Sequence, residues 1–476
     1  MTTTQLMALL PIIAAGALPV VLILAIAVRR SPGLTFGLTL AGLALVLAAL
    51  IPAARLVPIR VTPLLTIDGL ALYFIALAAL AGAATVLLAR TAADRNDQPP
   101  DQPSEELNVL VALAVLGAAV LGASRNLAAL FLGLELISVS LFPLIAYARR
   151  RPEALEAGIK YLVLSSVATG LLLFGIALLY AGLGSLEFAA VGRALAASGG
   201  TGIWTLGGIA LLLAGLGMKL SLAPLHWWTP DVYQGASAAV TGFLASAAKG
   251  AVVVVLLRLL AESGAQQQVP VMTALASIAV LSMLFGNLLA LRQNDVKRIL
   301  AYSSIAHMGY LLIALLVAGE IGAEAVGFYL AAYIVTTLGA FGAVALNGDR
   351  GELDAFRGLY RRRPWLAASM TLMLLSLAGI PVTAGFVGKF YLFAVGINAD
   401  LWVPVAVLIA TSIIGLFYYL RVILALYGRP AGTDLAPTPS IAGATGLALL
   451  TIALIGIGAW PQPMIALIRS ALAGAL

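Results

Sequence analysis

Apolar stretches of about twenty residues follow one another along almost the whole chain, separated by short charged or Gly/Pro-rich breaks. A stretch of that length crosses the ~30 Å hydrocarbon core as a helix. The pattern predicts an all-α, polytopic membrane protein with about fourteen transmembrane helices. They are expected near residues 5–28, 34–53, 66–90, 107–123, 127–148, 155–182, 203–233, 238–261, 270–291, 297–317, 324–346, 365–397, 402–428 and 440–460. Charged residues make up only 10% of the chain, against about 25% in soluble domains, so no large soluble domain fits between the spans. Residues 1–28 lack a basic leader and a small-residue cleavage site, and Arg29 and Arg30 close them. They read as a retained first span.

Alternate loops differ in basic residues. One set holds Arg29-Arg30, Arg90, Arg95, Arg149-Arg150-Arg151, Arg292, Lys297, Arg298, Arg350, Arg357, Arg361-Arg362-Arg363 and Arg429. The other holds only Arg55, Arg60, Arg125, Arg193 and Arg469. The first set is expected to be cytoplasmic, which places both termini on the periplasmic side and requires an even number of spans. The same rule accounts for the net charge of +7 without nucleic acid. The polar, acidic run 91–106 is expected to be a loop. The absence of cysteine rules out disulfides and cysteine-ligated iron–sulfur clusters in this polypeptide.

Four of the five lysines, Lys160, Lys219, Lys249 and Lys389, fall inside predicted spans, and Lys297 is assigned to a loop. A charge at mid-bilayer costs roughly 2.5–3.5 kcal/mol on insertion scales, so such a concentration points to proton or cation movement. Two of these lysines lie beside interruptions. Pro224 and Pro230 follow Lys219, and Gly379, Pro381 and Gly385 precede Lys389. Proline breaks a helix, and broken backbone in lipid is tolerated only inside protein or beside water. The interrupted spans are the seventh and twelfth, five apart. This predicts two inverted five-helix repeats, spans 4–8 (107–264) and 9–13 (265–428), after an N-terminal three-helix segment with its loop (1–106) and before a final helix (429–476). Paired interrupted helices in inverted halves mark a transport site.

Glu135 is the one carboxylate placed deep in a span. Lys160, early in the next span of the same hairpin, is expected to face it across an offset of roughly 8 Å, from 1.5 Å per residue; that suits a loose or water-bridged pair. A lysine whose surroundings alternate can load and release a proton near neutrality. His226 is expected to relay between Lys219 and Lys249, and His307, among hydroxyls, to serve the second half. Arg258 and Arg421 read as snorkelling near span ends. Asp68 and Asp231 read as caps or interfacial groups.

Lys219 with Ala223-Pro224-Leu225-His226-Trp227-Trp228-Thr229-Pro230-Asp231, and Asn294-Asp295-Val296-Lys297-Arg298 continuing to Ser303-Ser304-Ile305-Ala306-His307-Met308-Gly309-Tyr310, resemble the antiporter-like membrane subunits of respiratory complex I (NADH:quinone oxidoreductase). The resemblance runs from about span 3 to span 13. Lysine at 389, and an end soon after span 14, are most similar to the subunit N branch of that family. The resemblance implies that Glu135 and Lys160 form a modulating pair, that Lys219 loads a proton, that His226 and Lys249 connect across the centre, and that Lys389 leads to the outer face. It implies a bacterial inner-membrane location, contact with lipid, and as partners the antiporter-like subunit M and the small membrane subunits. NAD, FMN, iron–sulfur clusters and quinone are then expected elsewhere in the complex, in other partner subunits, with no cofactor or metal in this chain. A multisubunit sodium/proton antiporter or membrane-bound hydrogenase subunit, and a structural scaffold, are the alternative readings.

Overall fold

The computed structural model describes residues 1–93, 105–198, 202–264, 266, 268–429 and 439–473. Most of the expected loop 91–106 lies outside them.

Among the described residues, thirteen helices are long and apolar enough to cross a membrane. They give spans 1–6 as Thr3–Val28, Pro32–Ala54, Gly69–Ala93, Glu105–Ala123, Leu127–Ile145 and Pro152–Leu183. Span 7 begins as Ile203–Leu220, and spans 8–11 are Ala238–Ser263, Val269–Ala290, Val296–Leu315 and Glu320–Leu346. Spans 13 and 14 are Trp402–Tyr427 and Ile441–Ala459. The fourteenth crossing, span 12, is made of two 15-residue halves, Pro364–Ala378 and Ala384–Asn398. Each half reaches only about 22 Å at 1.5 Å per residue, so neither crosses alone.

The two repeats pack alike. Spans 4 and 5, 5 and 6, 6 and 7, and 4 and 8 are in contact, and so are 9 and 10, 10 and 11, 11 and 12, and 9 and 13. Five spans per repeat turn the second unit upside down relative to the first. Spans 8, 10 and 11 form the centre, and span 8 is buried along its length. Span 14 packs on spans 3, 11 and 12, so the last helix closes the bundle. Sequence reading did not anticipate a short hairpin, Ile59–Arg60 with Thr66–Ile67, or two amphipathic helices, Phe188–Ser198 and Gln462–Leu472. All three lie at the arginine-poor end.

Both interruptions end the first half-helix in the same way. Ser221 is left-handed (φ 63°) and Leu222 N–H donates to the Gly217 carbonyl at 2.8 Å. Gly379 is left-handed (φ 81°) and Ile380 N–H donates to the Leu375 carbonyl at 3.0 Å. This 6→1 closure satisfies carbonyls that the lost helix would leave bare in lipid. Neighbours absorb the freed donors: Ala223 N–H bonds Ser282 of span 9 at 2.9 Å, and Gly385 N–H bonds the Ser376 hydroxyl at 3.0 Å. Glycine is needed at 379 twice over, because a Cβ there would also stand 2.8 Å from the Lys389 Cδ. After its break, span 7 resumes as the short helix Trp228–Gly235.

Three expectations about charge are corrected. Arg258 does not snorkel. Span 8 is enclosed by protein, and the guanidinium is fully buried, with Nη1 and Nη2 bonding Asp68 at 2.7 and 2.5 Å and Nε donating to the Gly122 carbonyl at 2.9 Å. Asp68 does cap span 3, accepting from Ala71 N–H at 2.8 Å, but it is also the centre of an ionic cluster with Arg258 and Arg125, and Arg125 reaches Glu262 at 2.8 Å. Burial pushes the Asp68 carboxyl up, but the Arg258 charge and the surrounding hydrogen bonds outweigh it and hold the group below its ordinary value. Lys297 is not a loop residue. It is buried in the first turn of span 10, 3.0 Å from Asp349, and donates to the Gln234 and Ala236 carbonyls at the end of the short helix. Arg421 likewise bonds backbone, the Leu291 and Gln293 carbonyls.

Candidate proton-transfer site

The Lys219 side chain, 8% exposed, lies in the last turn of the first half of span 7, where helix carbonyls favour a cation. Its ammonium donates to the hydroxyls of Ser138 on span 5 (2.7 Å) and Ser165 on span 6 (2.6 Å), and lies 3.9 Å from Glu135 Oε1. The same Glu135 oxygen accepts a 2.5 Å hydrogen bond from Thr169. Lys389 obeys the same rule from the other side of its break. It stands on the second half of span 12 and donates back to Ala378, the last residue of the first half, at 2.9 Å.

Glu135 therefore pairs with Lys219, and the expected Glu135–Lys160 pair is not formed. Lys160 sits nine residues before Thr169, roughly 13 Å along span 6, and belongs to the arginine-rich end. There it meets Glu156 and Asp231, each at 2.7 Å. Asp231, expected to be a cap or an interfacial group, joins Lys160 to Arg298, also at 2.7 Å. Glu156, Lys160 and Asp231 line an open polar cavity of about 690 Å³ that also includes Arg151, Lys297 and Asp349.

A cavity of about 30 Å³, bordered by Lys219, Ser138, Ser165, Tyr161 and Trp228, also touches Lys249. That volume admits about one or two waters. Lys249 directly follows a π-helical turn, Leu244–Ala248, a local widening common at functional sites. Its ammonium lies 5.4 Å from the centre of the Tyr233 ring and donates to Ser304 on span 10 at 2.8 Å. Ser304 also accepts from Tyr333 at 2.8 Å. One turn further along span 10, His307 contacts the Tyr329 hydroxyl through Nδ1 (2.7 Å) and the Tyr419 hydroxyl through Nε2 (3.3 Å). The Tyr310 ring then separates His307 (5.4 Å between ring centres) from the Lys389 ammonium (5.2 Å). Polar groups thus run from Glu135 through Lys219, Lys249, Ser304 and His307 to Lys389.

His226 stands outside this line. After Ser221 the chain swings toward span 9, and the imidazole stacks on Trp227 (5.1 Å) and Phe285 (6.0 Å). Neither ring nitrogen has a hydrogen-bond partner among the described residues, although the Lys249 charge is close enough to act on the ring. Where His226 was expected, the structure places the small cavity beside Lys219 and Lys249, and Lys249 meets Ser304. Sequence reading missed Ser304 and the tyrosines at 233, 329, 333 and 419. The available signal was their spacing: Ser304 and His307, or Tyr329 and Tyr333, share one helix face. Among the described residues no group of three or more His, Asp or Glu could hold a metal ion.

Residues 124–415 match the family model described as NADH:quinone oxidoreductase/Mrp antiporter, TM. A protein of Chromohalobacter salexigens named NADH-quinone oxidoreductase subunit N is 48% identical over 99% of this chain and 100% of its own length. The chain belongs to the subunit N branch of this family. A second subunit N, from Ectopseudomonas mendocina, is 46% identical over 99% of this chain and 97% of its own. Among solved structures, a chain of respiratory complex I from Thermus thermophilus with bound aureothin aligns with a TM-score of 0.83 and 35% identity, covering 97% of this chain and all of that one. The fold of the subunit N family therefore extends over the whole described bundle, with the lysine line at its centre.

Proposed function

We propose that this chain is a proton-translocating membrane subunit of an NADH:quinone oxidoreductase in a bacterial inner membrane, with the arginine-rich end cytoplasmic and both termini periplasmic. Its neighbours are the antiporter-like subunit M and the small membrane subunits. Reaction of NADH with quinone, through flavin and iron–sulfur clusters, belongs to other polypeptides and reaches this one as a change in charge or hydration. The observation that carries the reading is the meeting of Lys249 with Ser304 at 2.8 Å, which joins the Lys219 half to the His307–Lys389 half across the repeat boundary.

Protons enter from the 690 Å³ polar cavity past Lys160 and Asp231. They load Lys219, whose proton affinity follows the distance to Glu135, cross the small cavity to Lys249, and continue through Ser304 and His307 to Lys389 and the periplasmic face. Ser304→Ala, measured as proton uptake by proteoliposomes of the assembled complex, is expected to cut pumping roughly three- to tenfold by removing a shared donor–acceptor. Ser304→Thr should restore it. Undiminished pumping by the alanine variant overturns the junction. Proton uptake that needs an opposing sodium gradient and proceeds without NADH or quinone favours the sodium/proton antiporter reading.

The Lys160–Asp231 pair has a different signature. Both side chains are 40% exposed, so the pair contributes under about 1 kcal/mol to stability. Asp231→Asn is expected to leave the melting temperature within about 2 °C, yet slow proton uptake roughly two- to fivefold as Lys160 and Arg298 lose their shared anion. Unchanged uptake at every ionic strength ends the intake role.

A further inference from the structure

Spans 1, 4, 5 and 6 leave a groove of about 640 Å³ at the arginine-rich end, away from the lysine line. Ile23, Val109, Leu110, Phe142 and Leu155 form apolar walls, and Glu106, Tyr147 and Arg149 its polar rim. The volume lies in the ~300–1,000 Å³ range that encloses an organic ligand, and the apolar walls lead away from a charged margin.

The rim carries two charged groups with open hydrogen-bonding positions. Glu106 Oε1 accepts from Arg30 at 2.9 Å, which ties the end of span 1 to the start of span 4, while Glu106 Oε2 is buried with no hydrogen-bond partner among the described residues. A buried carboxylate oxygen without a donor is costly. The exposed Arg149 guanidinium forms no ion pair or hydrogen bond with any described residue. Between them, the Tyr147 hydroxyl accepts the Leu107 N–H at 3.3 Å. One head group answers both charges: a primary ammonium donates to Glu106, a phosphate accepts from Arg149, and acyl chains lie on the apolar walls.

We propose that this groove binds a phospholipid of the phosphatidylethanolamine type. A choline head group fills the same space but has no N–H to give Glu106, and a glycerol head group brings no cation. The site therefore discriminates by donor chemistry and not by charge alone.

The assembled complex, transferred into nanodiscs of phosphatidylcholine containing a minor fraction of either phosphatidylethanolamine or phosphatidylglycerol, tests this by native mass spectrometry of retained lipid. Phosphatidylethanolamine is expected to be retained selectively. Glu106→Gln, which keeps the shape, and Arg149→Ala should each lower its retention roughly tenfold, and Leu155→Trp, which fills the groove, should do so without touching either charge. A photo-crosslinker at position 155 should capture lipid. Equal retention of the three lipids, retention unchanged in Glu106→Gln, or crosslinking to a neighbouring subunit or to residues 94–104 overturns the proposal.

Discussion

Lys219→Ala and Lys219→Met are both expected to abolish most proton pumping by the assembled complex, by roughly tenfold or more. That is modest beside the 10²–10⁴-fold contributed by a well-positioned proton carrier. Lys219 is the ammonium that stands between Glu135 and the cavity shared with Lys249. Its removal leaves Ser138 and Ser165, whose hydroxyls exchange protons poorly at neutral pH. The two substitutions separate two explanations. Alanine enlarges the small cavity and admits more water, whereas methionine fills it with an apolar chain of similar length. If water alone carries the proton, the alanine variant pumps and the methionine variant does not. If the ammonium is the carrier, both fail, and both should still assemble, since Glu135 keeps its Thr169 hydrogen bond. Full pumping by both would remove Lys219 from the mechanism.

The architecture was legible in the chain because lipid leaves few choices. Runs of twenty apolar residues must be helices, and the arginine asymmetry demanded an even count, which the discontinuous span 12 supplies. The breaks were legible because proline and glycine act locally. Pairing was less so. The Glu135–Lys160 expectation assumed that neighbours in one hairpin meet. Depth along the helix decided otherwise: Lys160 belongs to the level of Asp231, and Glu135 to the level of Thr169 and Lys219.

His226 shows the opposite limit. Its position two residues after Pro224 suggested a relay, but a left-handed residue at 221 redirects everything that follows toward Phe285. No local pattern encodes where a chain points after such a turn. Ser304, by contrast, was within reach, since it shares a helix face with His307. It was passed over because a single serine in a span is usually bonded to its own backbone, as Ser138 also is.

Arg258→Met is expected to destabilise the protein by about 3–5 kcal/mol, the cost of breaking a buried ion pair and leaving the Asp68 carboxylate with Arg125 as its one cation among the described residues. Asp68 is 1% and Arg258 0% exposed at the side chain, so solvent cannot take over either charge. Asp68→Asn should cost a similar amount, because Arg258 then loses its anion and one of two acceptor oxygens, and span 3 loses the charge of its cap. Together, Asp68→Asn and Arg258→Met should recover much of the loss, since an apolar residue beside a neutral amide avoids the stranded ion. Thermal inactivation of the complex, followed for the single and double variants, measures this. The Asp68 carboxyl is held below its ordinary 3.8, so the contribution of the pair is complete above about pH 4 and is lost only as pH falls through the lowered value. The gap between Arg258→Met and the parent should therefore stay constant from about pH 6 to 8. A double variant no more stable than the worse single one would mean that this cluster orders the arginine-poor end through Arg125 and Glu262, and that Arg258 is not its anchor.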